Sequence, residues 1–334
     1  MPYGPLLTRQ FGPNPKGSKL TIQEMDDNLL YLSESISSGG GGSAFPFTGS
    51  AGISGSVVIN SQLTLGVGTG TPSYNVALGY NNLQNNTTGF SNVALGNSAL
   101  NSNTEGNDNV ALGRNALNSN TTGDRNTALG SFTLTYNTTG FNNVALGSGA
   151  LYYNTEGNNN VALGKNALNY NTTGFYNVAL GGFALYYNTT GANNVALGGG
   201  ALNYNTIGNN NVALGAGALY YNTEGNFNVA LGQGALSSNT IGTNNVALGR
   251  NALSSNTTGN YNVALGYNIQ SGNYSGSVML GAEATATTNG QLALGSTNHP
   301  IGPILTALSA SSTHALNINL NGTIYQIMLI SGSV

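Results

Sequence analysis

Six tyrosines recur at intervals of 17 residues: Tyr136, Tyr153, Tyr170, Tyr187, Tyr204 and Tyr221. Three more, Tyr152, Tyr186 and Tyr220, stand immediately before every second member of that series. Phe141, Phe175, Tyr176 and Phe227 add further rings nearby in the sequence. The chemistry open to such a set is non-covalent. An aromatic ring offers an apolar face and tyrosine adds a hydroxyl, so a row of them suits the faces of sugar rings. The same row can also serve as a ladder that stabilises its scaffold by stacking, with or without a partner chain against it. The expectation is therefore either a glycan-binding strip or a structural ladder.

Residues for other chemistry are scarce. His299 and His314 are the two histidines, no acid lies near either in sequence, and neither has a metal-spaced partner, so a structural or solvated role is expected. There is no Cys, which excludes disulfides and thiolate metal sites. The 334 residues carry 7 Lys+Arg and 10 Asp+Glu, a net charge of −3, where a globular domain has about 25 % charged residues. That leaves no electrostatic footprint for nucleic acid or for an anionic membrane surface. Asp108 and Arg125 occupy equivalent positions in successive repeats and are expected to form a stacked ion pair, worth little at a surface. Paired carboxylates and phosphate-loop motifs are missing. The chain is thus expected to be no enzyme and to hold no cofactor and no metal. No apolar run reaches the roughly 18 residues a spanning helix needs. Met1–Pro2–Tyr3–Gly4–Pro5 lacks a basic region followed by an apolar core, so synthesis and assembly in a cytoplasm are expected.

The element that positions the tyrosines is a repeat. Asn75–Val76–Ala77–Leu78–Gly79 returns every 17 residues up to Val263, with Thr127 in the valine place once. With the valine as slot 1, slots 1 to 4 read Val-Ala-Leu-Gly and slots 7 and 8 mostly Ala-Leu. Slot 11 is Asn, slot 12 almost always Thr, slot 14 Gly and slot 17 Asn, while slots 9 and 10 hold the tyrosines. So strict a period implies a solenoid, in which each unit packs only on its neighbours. In the copy starting at Val93, Val93-Ala94-Leu95 alternates in size, which predicts a strand with Val and Leu facing a narrow core and Ala facing a second close neighbour. Leu100 is the one further sizeable apolar group of that copy. Two short strands and two corners make one coil, with positive φ expected at Gly96 and Gly106. Stacked coils place identical slots about 4.8 Å apart, which predicts Asn and Thr ladders. Twelve coils give a rod of roughly 60 Å.

The flanks differ. Residues 1–19, rich in Pro and Gly and holding Arg9, Lys16 and Lys19, read as an N-terminal attachment arm or a disordered terminus. Residues 20–38 read as a short coiled-coil helix, opened by the capping box Thr21–Ile22–Gln23–Glu24. Its seam is Ile22, Met25, Leu29, Leu32 and Ile36. A seam this short needs partners, and its isoleucines lean towards three strands. Residues 39–56 form a Gly/Ser linker, 57–298 the β-roll shaft and 299–334 a C-terminal β cap or tip. In that tip, Asn321-Gly322 between two apolar runs signals a hairpin.

Asn-Val-Ala-Leu-Gly resembles the head motif of trimeric autotransporter adhesins, which implies a left-handed parallel β-roll wound as a homotrimer. The shorter spacings to Gly281 and Gly295 resemble those heads more closely than the 17-residue period does. An export signal and a membrane-anchoring barrel, both expected of such adhesins, are not found. Residues 17–32 and 316–329 are similar to segments of phage fibre proteins, which use the same roll. The fold expected is all-β, a parallel β-solenoid of about 12 coils, trimeric, with a coiled-coil helix before it and a hairpin cap after it. The function this implies is a structural and adhesive tail fibre of a phage virion, assembled in the host cytoplasm. Its N-terminus would join a tail or baseplate protein, its ladders or tip would meet a host surface glycan or another receptor, and it would neither bind nucleic acid nor insert into a membrane. The alternatives are a bacterial surface adhesin or extracellular filament and, on the strength of the Thr ladder, an ice-binding solenoid.

Overall fold

A computed structural model describes residues 74–299, 315–320 and 323–328, the last two segments by backbone alone. The expected arm, the coiled-coil seam (Ile22, Met25, Leu29, Leu32, Ile36), the linker, the first stretch of the roll and His314 lie outside the described residues. Between Tyr74 and His299 the chain is a parallel β-solenoid. Fourteen three-residue strands, from Val76–Leu78 to Leu292–Leu294, form one sheet in sequence order. Pairing is in register, slot on slot: Val76 with Val93, Ala77 with Ala94, Leu78 with Leu95. The last two steps, Val263 to Val278 and Val278 to Leu292, are shorter, yet the strands still pair in register.

The strand faces opposite to the sequence expectation. The slot-2 alanines from Ala94 to Ala264 are fully buried and Ala77 in the first coil partly so, whereas the flanking Val and Leu are half-buried or exposed in every coil. The interior of a coil is Ala at slots 2 and 7 and Leu at slot 8, here Ala94, Ala99 and Leu100, joined by the two asparagines. Coil width explains the inversion. A loop of 17 residues encloses too little volume for three large side chains, so alanine takes the inward strand position and packing density is kept. Val and Leu are left outside as an apolar stripe along the sheet, interrupted on the Val side by Thr127.

Each coil also has one strand rather than two. The Ala-Leu run is a turn segment, with φ near +56° at Ser98 and +50° at Leu100, and every slot-8 leucine from Leu83 to Leu253 takes the same left-handed conformation. A β-branched residue would be an outlier there, which accounts for Leu rather than Ile or Val. Coil-to-coil hydrogen bonding continues through this segment regardless: Leu100 N–H donates to Ala116 O at 3.0 Å and Ser102 N–H to Asn118 O at 2.9 Å. Of the two corner glycines, Gly96 has positive φ (+138°) as expected and Gly106 does not. Gly106 is required by crowding instead: a Cβ there would lie 2.5 Å from Asn103 Oδ1 and 2.5 Å from Gly123 O.

The Asn ladders form, and they run inside. At slot 11, Asn103 Nδ2 donates to Asn86 Oδ1 at 2.8 Å and to Gly106 O at 3.0 Å. At slot 17, Asn109 N–H donates to Asn92 Oδ1 at 3.0 Å while Asn109 Nδ2 reaches Gly123 O at 2.8 Å. The slot-11 row from Asn103 to Asn256 and the slot-17 row from Asn92 to Asn262 are fully buried, and among the described residues no buried side-chain polar atom lacks a partner. Such satisfaction is what makes a half-polar interior tolerable, because an unpaired buried amide costs about 1–3 kcal/mol. The Thr ladder at slot 12 forms as well: Thr155 Oγ1 donates to Thr172 O at 3.1 Å. Asp108 and Arg125 form no ion pair. Both side chains are exposed on left-handed backbone (φ 57° and 54°), where the gain from pairing is small. Separately, Ala315–Leu320 and Thr323–Met328 pair antiparallel.

Candidate functional site

The solenoid brings all nine candidate tyrosines into one band. Slot-10 N–H groups donate to the slot-9 carbonyl of the following coil, as Tyr136 does to Tyr152 O at 3.0 Å and Tyr204 to Tyr220 O at 2.9 Å. The backbone pitch thereby becomes the stacking distance. Successive slot-10 rings, Tyr136 through Tyr221, lie 4.9–5.4 Å apart with interplanar angles of 3–24°. Each slot-9 ring stands edge-on to that stack. Tyr152, Tyr186 and Tyr220 contact the slot-10 ring of their own coil at 4.6–4.8 Å. They contact that of the preceding coil at 5.1–5.4 Å. Offset stacking and edge-to-face contact are the two favourable ring geometries, and the band uses both. The slot-10 rings remain 37–51 % exposed, so in this chain the ladder meets solvent.

Two aromatic residues outside the sequence-based set extend the band. Phe132 and Phe183 occupy slot 6 and meet Tyr152 and Tyr186 at 6.3 and 5.4 Å. The Arg114 guanidinium lies 4.5 Å over Phe132 and closes that end. The sequence does carry a signal for them: slot 6 is otherwise Asn, Ser or Gly through most of the array, and it turns aromatic twice within the tyrosine run. Phe141, Phe175, Tyr176 and Phe227 are exposed elsewhere on the coil and, among the described residues, make no ring contact with the band.

Two open clefts follow the band. One, of about 300 Å³, is lined by Phe132, Gly149, Tyr152 and Asn169 among others. The other, of about 580 Å³, includes Phe183, Tyr186, Gly200, Asn203 and Tyr220. Gly200 keeps its cleft open, since a Cβ there would lie 3.1 Å from Tyr220 Cε2. No charged side chain lines either cleft. A hydrogen bond with Tyr136, followed by partial burial, pushes the Tyr152 hydroxyl up to about 12. Partial burial first, then the neighbouring slot-10 phenols, raises Tyr186 and Tyr220. These phenols therefore stay protonated donors across the physiological range. The arrangement provides apolar faces, neutral hydroxyl and amide groups and shallow clefts.

Outside the band, His299 Nδ1 lies 3.2 Å from Glu283 Oε2, a contact across the last coil step that sequence proximity could not show. The residues of the coiled-coil seam cannot be placed beside the band, lying outside the described residues. Compared with protein-family models and with curated proteins, the chain matches none.

Proposed function

We propose that this chain is the structural and adhesive subunit of a phage tail fibre. In this reading three copies assemble side by side, wound as the left-handed roll implied by the resemblance to adhesin heads. The N-terminal arm joins a tail or baseplate protein. The aromatic band or the C-terminal tip meets a glycan or other receptor on the host surface. The protein acts by binding and not by catalysis.

The observation that carries this reading is the Val/Leu stripe. A solenoid with a self-sufficient interior still leaves two outward side chains per coil half-buried or exposed, apolar in all but the Thr127 position, with Leu180 at 36 %, Leu248 at 38 % and Leu265 at 39 %. Contiguous apolar surface on that scale marks an interface. Because the stripe repeats at every coil, the surface that fits it must repeat at the same pitch, and a second copy of this chain does so. The isoleucine-containing seam at residues 20–38 favours three copies. Sedimentation should give three times 33.9 kDa. Leu180→Glu combined with Leu214→Glu should shift the fibre towards monomer, and a wild-type monomer would sink the reading. Electron microscopy with a label on the chain should then place it on virions.

A bacterial surface adhesin or extracellular filament is the second reading, favoured by the shortened last coil steps, which resemble adhesin heads. Label on the cell surface instead of the virion would decide for it. The ice-binding alternative is weakened because the Thr hydroxyls donate within the solenoid, as Thr189 does to Thr206 O at 2.9 Å.

A further inference from the structure

The two tyrosine rows have different periods. Slot 10 is Tyr in six consecutive coils, whereas slot 9 alternates as Tyr152, Asn169, Tyr186, Asn203, Tyr220. The coil does not demand this alternation, since slot 9 is also Gln84, Asn101, Thr135 or Ser237 in coils with the same in-register pairing. The three slot-9 tyrosines share one orientation, each edge-on to two slot-10 rings. The step between them is two coils, about 9.6 Å. The intervening asparagines are pinned alike: Asn169 Nδ2 donates to Gly149 O at 2.7 Å and Asn203 Nδ2 to Phe183 O at 2.9 Å. They are only 7 and 6 % exposed. Among the described residues nothing donates to Oδ1 of either amide, and neither oxygen is buried without a partner, so both remain open to a ligand hydroxyl.

We infer that the band binds a neutral, linear β-1,4-linked polysaccharide lying along the fibre axis, its disaccharide repeat in register with two coils. A chain of equatorially linked pyranoses is a flat ribbon in which successive residues are turned over. It therefore presents the same ring face at every second residue and advances by a distance comparable to one coil per residue. Alternate sugars stack on Tyr152, Tyr186 and Tyr220, and the sugars between them place hydroxyls on Asn169 and Asn203. The cleft linings themselves offer no cation to pair with uronic or sulfated chains. Coiled, α-linked chains lose step after one repeat.

This inference rests on the adhesive reading above, and the test separates the two. Calorimetric titration of the full-length fibre with β-1,4-linked glucose and N-acetylglucosamine oligomers of increasing length should show affinity rising in steps. The steps fall where a second and a third sugar reach a tyrosine, at the trimer and the pentamer, each roughly three- to tenfold. Tetramer and hexamer should add little. The double variant Asn203→Tyr with Tyr220→Asn keeps the aromatic count and uses only residues native to slot 9. It should keep the trimer step and lose the pentamer step. A smooth rise with length for the wild type, no binding, or a pentamer step that survives in the double variant overturns the inference. Adsorption of the fibre to cells without chain-length steps overturns the inference and leaves the adhesive reading standing. Steps without adsorption to any cell overturn the adhesive reading and leave the inference standing.

Discussion

Two ladders run along this solenoid, one inside and one outside. Inside, asparagine at slots 11 and 17 recurs in every full coil, fully buried except at Asn86 and bonded to neighbouring coils. Outside, tyrosine at slot 10 stacks at the same pitch but is confined to six coils. Both are identical residues one coil apart, and they differ in what happens when a member is missing. A missing Asn strands buried donors and acceptors, whereas a missing Tyr exposes the face of a neighbouring ring to water. The interior is therefore uniform and the exterior free to vary.

The sharpest break of the scaffold is at its corners. Gly181 has φ +135°, and a Cβ there would lie 2.7 Å from the carbonyl carbon and oxygen of Gly198. Gly181→Ala should cost about 3 kcal/mol or more, combining strained backbone with collision against backbone that cannot move aside. Gly217 provides the contrast, with φ +64° and nothing within 4 Å of where an added methyl would sit. Gly217→Ala should cost only about 1–2 kcal/mol, the left-handed penalty alone. Urea unfolding of the two variants side by side checks this, and equal midpoints would show that coil contact is not what demands the corner glycine.

Next comes the ladder itself. Asn177 Oδ1 accepts from Asn194 N–H at 3.0 Å and from Asn194 Nδ2 at 3.2 Å, while Asn177 Nδ2 donates to Gly191 O at 2.8 Å. Asn177→Ala should cost about 2–4 kcal/mol by leaving these groups unpaired. Because coils in a solenoid contact only their neighbours, the loss should appear as faster amide hydrogen exchange centred on the adjoining coils. Tyr204→Ala removes a much larger side chain that stacks on Tyr187 and Tyr221. It should nevertheless cost only about 1 kcal/mol, because the ring is 37 % exposed. If Tyr204→Ala proves more destabilising than Asn177→Ala, the division into uniform scaffold and free surface is wrong.

That division also explains what is legible in the residues. The 17-residue spacing makes the parallel, in-register sheet readable, because one period forces slot onto slot. The Asn and Thr ladders follow from the same argument. The inward face of the strand is not readable in this way, since alternation says which side chains share a face but not which face fits inside a narrow coil. The Ala-Leu run reads as a strand because left-handed φ at a leucine has no signature in apolar patterning. The tyrosine rows are visible as spacing. The clefts, the contacts of the slot-6 phenylalanines and the pinned asparagines are not, since they depend on where neighbouring coils put their turns.

The smallest effect expected is also the one that separates the two ladders most cleanly. The interior rows of Ala, Leu and Asn hold no group that titrates, whereas the outer band holds phenols. Tyr152 is raised from 10.0 to about 12 by its hydrogen bond with Tyr136 and by partial burial. A phenol with a raised pKa in the fold is favoured there in its neutral form. Its contribution to stability is therefore complete below pH 10 and is lost as pH climbs from 10 towards 12. Alkali should loosen the aromatic band within that window while the asparagine ladder persists. Tyrosinate absorbance should report the late-ionising phenols, and Tyr152→Phe should remove the latest of them while keeping the ring contacts. Amide exchange at the buried slot-11 and slot-17 positions, corrected for the intrinsic rise with pH, should stay protected over the same range. If both regions lose protection together, the outer ladder is part of the scaffold after all.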